Sequence, residues 1–104
     1  DFVSVEDCAK ANICAMKSNS TDSFYNVGTG KRTSLKELAE LLIKLTDSSK
    51  VIKFVKNNQS TLVKNRIGCP IKATQELNFT ANIQLDEGLK KLIQWRSVHK
   101  SKLN

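Results

Sequence analysis

The chain has 104 residues, enough for one small domain and too few for two. It is 39% apolar and 26% charged, an ordinary globular mixture, and no apolar run approaches the roughly 18–20 residues of a membrane span. Seventeen Lys and Arg against 10 Asp and Glu leave a net charge of +7, which suits nucleic acid or a phosphorylated metabolite as partner.

The opening Asp1-Phe2-Val3-Ser4-Val5 has no initiator Met and no basic, long-apolar leader, so the chain reads as cut from something longer. Phe2, Val3 and Val5 predict a short strand. Ser4-Val5-Glu6-Asp7 reads as a capping box, with Ser4 accepting from the N–H of residue 7. The helix that follows is apolar at Val5, Cys8, Ala9, Ala11, Ile13, Cys14, Ala15 and Met16, and the polar run Ser18 to Ser23 stops it. Phe24 to Val27 predicts a second strand, closed by Gly28-Thr29-Gly30. Ser34-Leu35-Lys36-Glu37 is a full capping box, and Leu35, Leu38, Ala39, Leu41, Leu42 and Leu45 form one helical stripe that Asp47-Ser48-Ser49 ends. Val51 to Val55 predicts a strand, Lys56 to Ser60 a polar loop, and Leu62-Val63 a further extended piece. Pro70 suits the first position of a helix from Ile71 to Leu77, where its missing N–H costs nothing. Phe79 to Ile83 is extended or loop. The last helix, Leu85 to Val98, turns Leu85, Leu89, Leu92, Ile93 and Trp95 or Arg96 inward, and the basic tail His99 to Asn104 is expected to fray. The class is α/β, or α+β for a fragment, with more helix than strand.

Local chemistry is sparse. Gly28-Thr29-Gly30 between strand and helix invites a trial as a phosphate cradle, but Thr33 stands where a dinucleotide fingerprint needs its third glycine. A Walker loop fails at Arg32 and Tyr25, so a glycine turn is the better reading. Tyr25 is the only tyrosine and has Thr29, not lysine, four positions on, so no Tyr/Lys pair is at hand and no catalytic residue is assigned. His99, the only histidine, lies in the tail. Asp86-Glu87 reads as first-turn charge opposing a helix dipole. Cys8, Cys14 and Cys69 cannot all pair and form no C-x-x-C or His-Cys cluster, so they read as reduced core thiols in a cytoplasmic protein, with no metal site. The lysines are scattered, and much of the charge reads as solvated surface. Arg66 lies just before a helix start, where an arginine can reach a diphosphate with a forked donor pair, although taken alone it reads as a surface arginine.

Taken in order, five blocks resemble one family. Asp1 to Ala11 looks like the "DFV-x-V-x-D-x-A-x-A" segment of extended short-chain dehydrogenase/reductases. Phe24 to Gly30 is similar to their "YNVGTG", and Thr33 to Ala39 to the "TSL-x-E-L-A" after it. Lys72-Ala73 with Glu76 to Phe79 matches "KA-x-x-x-LG-[FW]", and Leu85 to Trp95 matches "L-x-EGL-x-x-x-I-x-W". The resemblance covers about residues 1–96 and points to the C-terminal part of an NAD-dependent nucleotide-sugar epimerase or dehydratase.

It implies a parent enzyme, an isomerase where it epimerises, holding NAD on an N-terminal Rossmann domain absent from this chain. The parent binds a nucleoside-diphosphate sugar, and a homodimer is its candidate assembly. Residues 1–98 would be the substrate-binding region, binding no NAD and catalysing nothing alone. The strand at Tyr25 would then lie at the edge of the large parallel sheet. In many relatives an arginine in an "R-P-G-D" loop binds the diphosphate; the corresponding stretch here begins at Gln59. The substrate contacts expected on this comparison are Arg66, on a position facing the pocket in relatives, and Gln59. Cys69 stands where aspartate is common and Asn78 where glycine is common. The competing readings are a stand-alone basic nucleic-acid-binding module, whose affinity would fall steeply with salt, and a protein-interaction domain docking through a helix face.

Overall fold

The structure, a computed structural model, describes residues 1–56 and 63–99. Four helices follow one another: α1 (Val5–Lys17), α2 (Leu35–Leu45), α3 (Ile71–Leu77) and α4 (Leu85–Val98). Among the described residues there is no β-strand, so the strands expected at Phe2–Val5, Phe24–Val27 and Val51–Val55 are not found. Val5 instead opens α1. Of the expected piece Leu62-Val63, Leu62 lies outside the described residues and Val63 is irregular. The physical reason is pairing. β-prone side chains bias a backbone toward extension, but a strand exists only when its N–H and C=O groups meet a neighbour's. Phe24, 92% exposed, and Val51, 89% exposed, have nothing packed over them.

The chain gathers into two compact units, Asp1–Arg32 with Val63–Ile83, and Thr33–Leu62 with Gln84–Asn104. In the first, α1 packs on α3 around Ala11, Ala73, Leu77 and Phe79, with Cys14, Tyr25 and Ala81 against them. The small side chains of Ala11 and Ala73 let the two helices approach around the one large, fully buried ring, Phe79. The buried face of α1 is narrower than its apolar residues suggest. Asp7, Ala11 and Cys14 follow the i, i+4, i+7 spacing of one face, while Val5 and Met16 are exposed.

Asp7 corrects the first capping box. Ser4 Oγ accepts from the N–H of Glu6 at 3.3 Å, not from that of residue 7. The Asp7 side chain is turned inward, 2% exposed, and its Oδ2 accepts from the N–H of Ile83 at 3.0 Å. A buried carboxylate oxygen is costly without a donor, and the Ile83 amide supplies one. That bond ties the start of α1 to the last residue of the unit.

Pro70 precedes α3, as its missing N–H allows. The helix stops at Asn78, whose φ of 52° and ψ of 37° lie in the left-handed region. Its N–H and that of Phe79 (3.2 Å) both converge on the carbonyl of Ala73. Asparagine visits this conformation more readily than other residues with a Cβ, so a position that favours glycine tolerates it.

In the second unit α2 packs on α4. The second capping box is present in full: Glu37 N–H donates to Ser34 Oγ at 3.1 Å and Ser34 N–H to Glu37 Oε2 at 2.6 Å. Neither helix contains a fully buried residue. Of the residues expected inward, Leu92 is 57% exposed and neither Trp95 nor its alternative Arg96 is buried; Trp95, 51% exposed, stacks on His99 with ring centroids 4.9 Å apart and planes inclined by 20°. His99 Nδ1 also bonds the Trp95 carbonyl at 2.8 Å. Residues 100–104 lie outside the described residues. No described helix is long and apolar enough to cross a membrane.

Candidate functional site

The glycine turn of the first unit is where separate segments converge. Asp1 places its carboxylate on it: Oδ1 accepts from the N–H of Thr29 at 2.9 Å and from Thr29 Oγ1 at 2.7 Å, and Oδ2 accepts from the N–H of Gly30 at 2.9 Å. The amides that a phosphate would need are thus taken by the chain's own carboxylate, which explains physically why this turn is no phosphate cradle. The fit is close. A Cβ added to Gly28 would come within 2.7 Å of Asp1 Oδ2. Gly30 has a φ of +70°, and a Cβ there would meet Pro70 Cδ at 3.2 Å.

The segment bearing Arg66 is fastened to the same place. The Asp1 backbone nitrogen donates to the carbonyl of Arg66 at 3.1 Å. Arg32, which leaves the glycine turn, donates through Nη2 to Asn65 Oδ1 at 2.8 Å. Arg66 is itself exposed, so its forked guanidinium is presented to solvent. Gln59, the other expected substrate contact, lies outside the described residues. The structure therefore brings Arg66 together with Asp1, Asn65 and Arg32.

Tyr25 is occupied otherwise. Its hydroxyl donates to Glu76 Oε2 at 2.7 Å and bonds Ser20 Oγ, while Lys72 Nζ lies 4.9 Å from the ring centroid and donates to the Phe24 carbonyl at 3.2 Å. These bonds fasten the Phe24–Val27 segment to α3. Among the described residues no three His, Cys, Asp or Glu side chains cluster as metal ligands. The second unit carries a shallow groove of about 430 Å³ lined by Thr46, Leu92, Ile93, Arg96 and Ser97. It brings one charge and no acid–base pair together.

Sequence reasoning missed Asp1 and Asn65. Asp1 bonds residues 28 positions away, and no local spacing announces such a bond. The signal lay in the pattern of an aspartate with a remote Gly-x-Gly, visible only when both blocks are placed in one fold.

No protein-family model matches the chain. It is 34% identical over 95 residues to a protein of Methanocaldococcus jannaschii provisionally named a UDP-glucose 4-epimerase, covering 91% of this chain and 30% of the relative. The enzyme WbmF of Bordetella bronchiseptica, solved with NAD+ and UDP, matches 97% of this chain and 30% of its own at 31% identity and a TM-score of 0.82. The UDP-glucose 4-epimerase of Thermotoga maritima, solved with UDP-glucose, matches 100% of this chain and 32% of its own at 29% identity and a TM-score of 0.86. The chain thus spans about a third or less of the length of the proteins it matches. Likeness across nearly every residue, in sequence and in structure alike, matches it to the C-terminal part of NAD-dependent nucleotide-sugar epimerases and dehydratases.

Proposed function

We propose that the chain is the substrate-side part of an NAD-dependent nucleotide-sugar epimerase or dehydratase and lends its residues to the nucleoside-diphosphate-sugar pocket. Arg66 is the principal contact, with Gln59, seven residues earlier, as the second. The observation that carries this reading is the exposed Arg66 guanidinium, on a segment fastened from both sides by Asp1 and by Arg32 through Asn65. A planar, permanently charged fork held in this way suits a diphosphate. NAD belongs to the parent enzyme's Rossmann domain. The chain alone binds no NAD and turns over no substrate, since a hydride acceptor and a Tyr/Lys pair are both needed elsewhere. A cytoplasmic setting is supported by three free cysteines: Cys8 and Cys14 are half-buried, whereas Cys69, expected in the core, is exposed.

Calorimetric titration of the 104-residue chain with NAD and, separately, with UDP tests this. UDP binds weakly, Arg66→Ala weakens it by about tenfold, as loss of a charge-assisted contact predicts, and NAD gives no binding heat. Saturable NAD binding, or UDP binding indifferent to Arg66→Ala, would overturn the assignment.

A further inference from the structure

The contacts of one residue, Asp1, reach beyond its own turn. We infer that Asp1 is a positioning residue for the diphosphate contact, acting through Arg66; the inference rests on the pocket reading above. Asp1 bonds both the glycine turn and the Arg66 segment. Its carboxylate takes the donors of Thr29 and Gly30 at 2.7 to 2.9 Å, and its backbone nitrogen holds the Arg66 carbonyl at 3.1 Å. The surroundings are shaped for it. Gly28 leaves no room for a Cβ, which would come within 2.7 Å of Oδ2. Pro70 closes on Gly30 from the other end of that segment. Arg66 therefore sits on a stretch held at its own carbonyl by Asp1 and, one residue earlier, by Arg32 through Asn65. A guanidinium reaches a diphosphate productively only when the backbone carrying it is fixed, because a long side chain otherwise loses its advantage to rotamer freedom. Asp1 itself has its carboxylate fully engaged and, being negative, is no contact for an anion.

The substitution that tests this is Asp1→Asn. One side-chain oxygen remains for Thr29, while the new amide opposes the N–H of Gly30, donor against donor. Thr29→Val is the milder companion, since it removes the hydroxyl's bond to Asp1, along with the one it accepts from Lys31 N–H, and leaves both backbone bonds to the Asp1 carboxylate. Each is made alone and combined with Arg66→Ala, and UDP affinity is measured by titration, with far-UV circular dichroism reporting the fold. If Asp1 acts through Arg66, the two losses are not additive. Asp1→Asn weakens UDP by about five- to tenfold with Arg66 present and by less than about twofold in the Arg66→Ala background, the scale expected for coupled neighbours. Equal losses in both backgrounds, or none in either, overturn the positioning role while leaving Arg66 as a contact. Failure of the unmodified chain to bind UDP removes the pocket reading itself. Should Asp1→Asn lose its helical signal, the Thr29→Val pair decides the matter by the same comparison.

Discussion

Replacing Asn78 with alanine isolates the cost of one backbone conformation. Asn78 is exposed, so truncating it removes no buried surface, and its φ of 52° persists because two amides converge on the Ala73 carbonyl. An ordinary L-residue in the left-handed region costs roughly 1–2 kcal/mol, of which asparagine is spared a part. Asn78→Ala is therefore expected to destabilise the chain by about 1 kcal/mol. Asn78→Gly relieves what strain remains but gives the unfolded chain about 0.4–1 kcal/mol of extra entropy, so it should fall within about 0.5 kcal/mol of the parent. Urea unfolding followed by far-UV circular dichroism reads both. With a slope of about 1–3 kcal/mol per molar, the alanine midpoint drops by roughly 0.3–1 M at unchanged slope while the glycine midpoint hardly moves. If alanine matched or exceeded glycine, the helix would not end in a left-handed residue and the account of Asn78 would be wrong.

Phe79 fills the centre of a core with few other buried side chains, and Phe79→Ala should cost about 3–5 kcal/mol, enough to abolish cooperative unfolding of the first unit by calorimetry. Asp7→Ala strips the Ile83 amide of its acceptor and should destabilise by about 1–3 kcal/mol; faster hydrogen exchange at Ile83 would locate the effect. Ser34→Ala removes one half of the capping box, and a loss of about 1 kcal/mol in urea, with reduced helicity over α2, is expected.

The elements most legible in the sequence are those whose instructions are local. Ser34 and Glu37 are three residues apart and specify the start of α2 by themselves. Pro70 placed the start of α3, and the leucine pattern gave α4 its bounds of Leu85 and Val98. The expected strands are not found among the described residues because the bias of Phe24-Tyr25-Asn26-Val27 is local and the pairing that makes a strand is not. Asp7 was misjudged for a related reason: the amide it meets is 76 residues away and outweighs the cap beside it. Trp95 shows the limit of a helical stripe, which names a face without saying how deeply it sinks. Of the site, Arg66 could be singled out from its place before a helix, while the clamp that holds it depends on residues 28 and 65 positions from Asp1. Ordered blocks carried the family because each records a junction whose geometry the others complete.

The uncovered stretch Val51 to Val55 bears on how the chain behaves in solution. Val51, Phe54 and Val55 are 89%, 75% and 76% exposed, β-prone and uninterrupted by proline, the composition of a segment that adheres to copies of itself. Lys50, Lys53 and Lys56 punctuate it at every third position, and each is exposed. Like charges at that spacing oppose in-register stacking, and a net charge of +7 keeps molecules apart at long range. About 0.15 M salt screens such repulsion beyond roughly 8 Å, so low-salt buffers are expected to oppose association through this stretch better than salty ones.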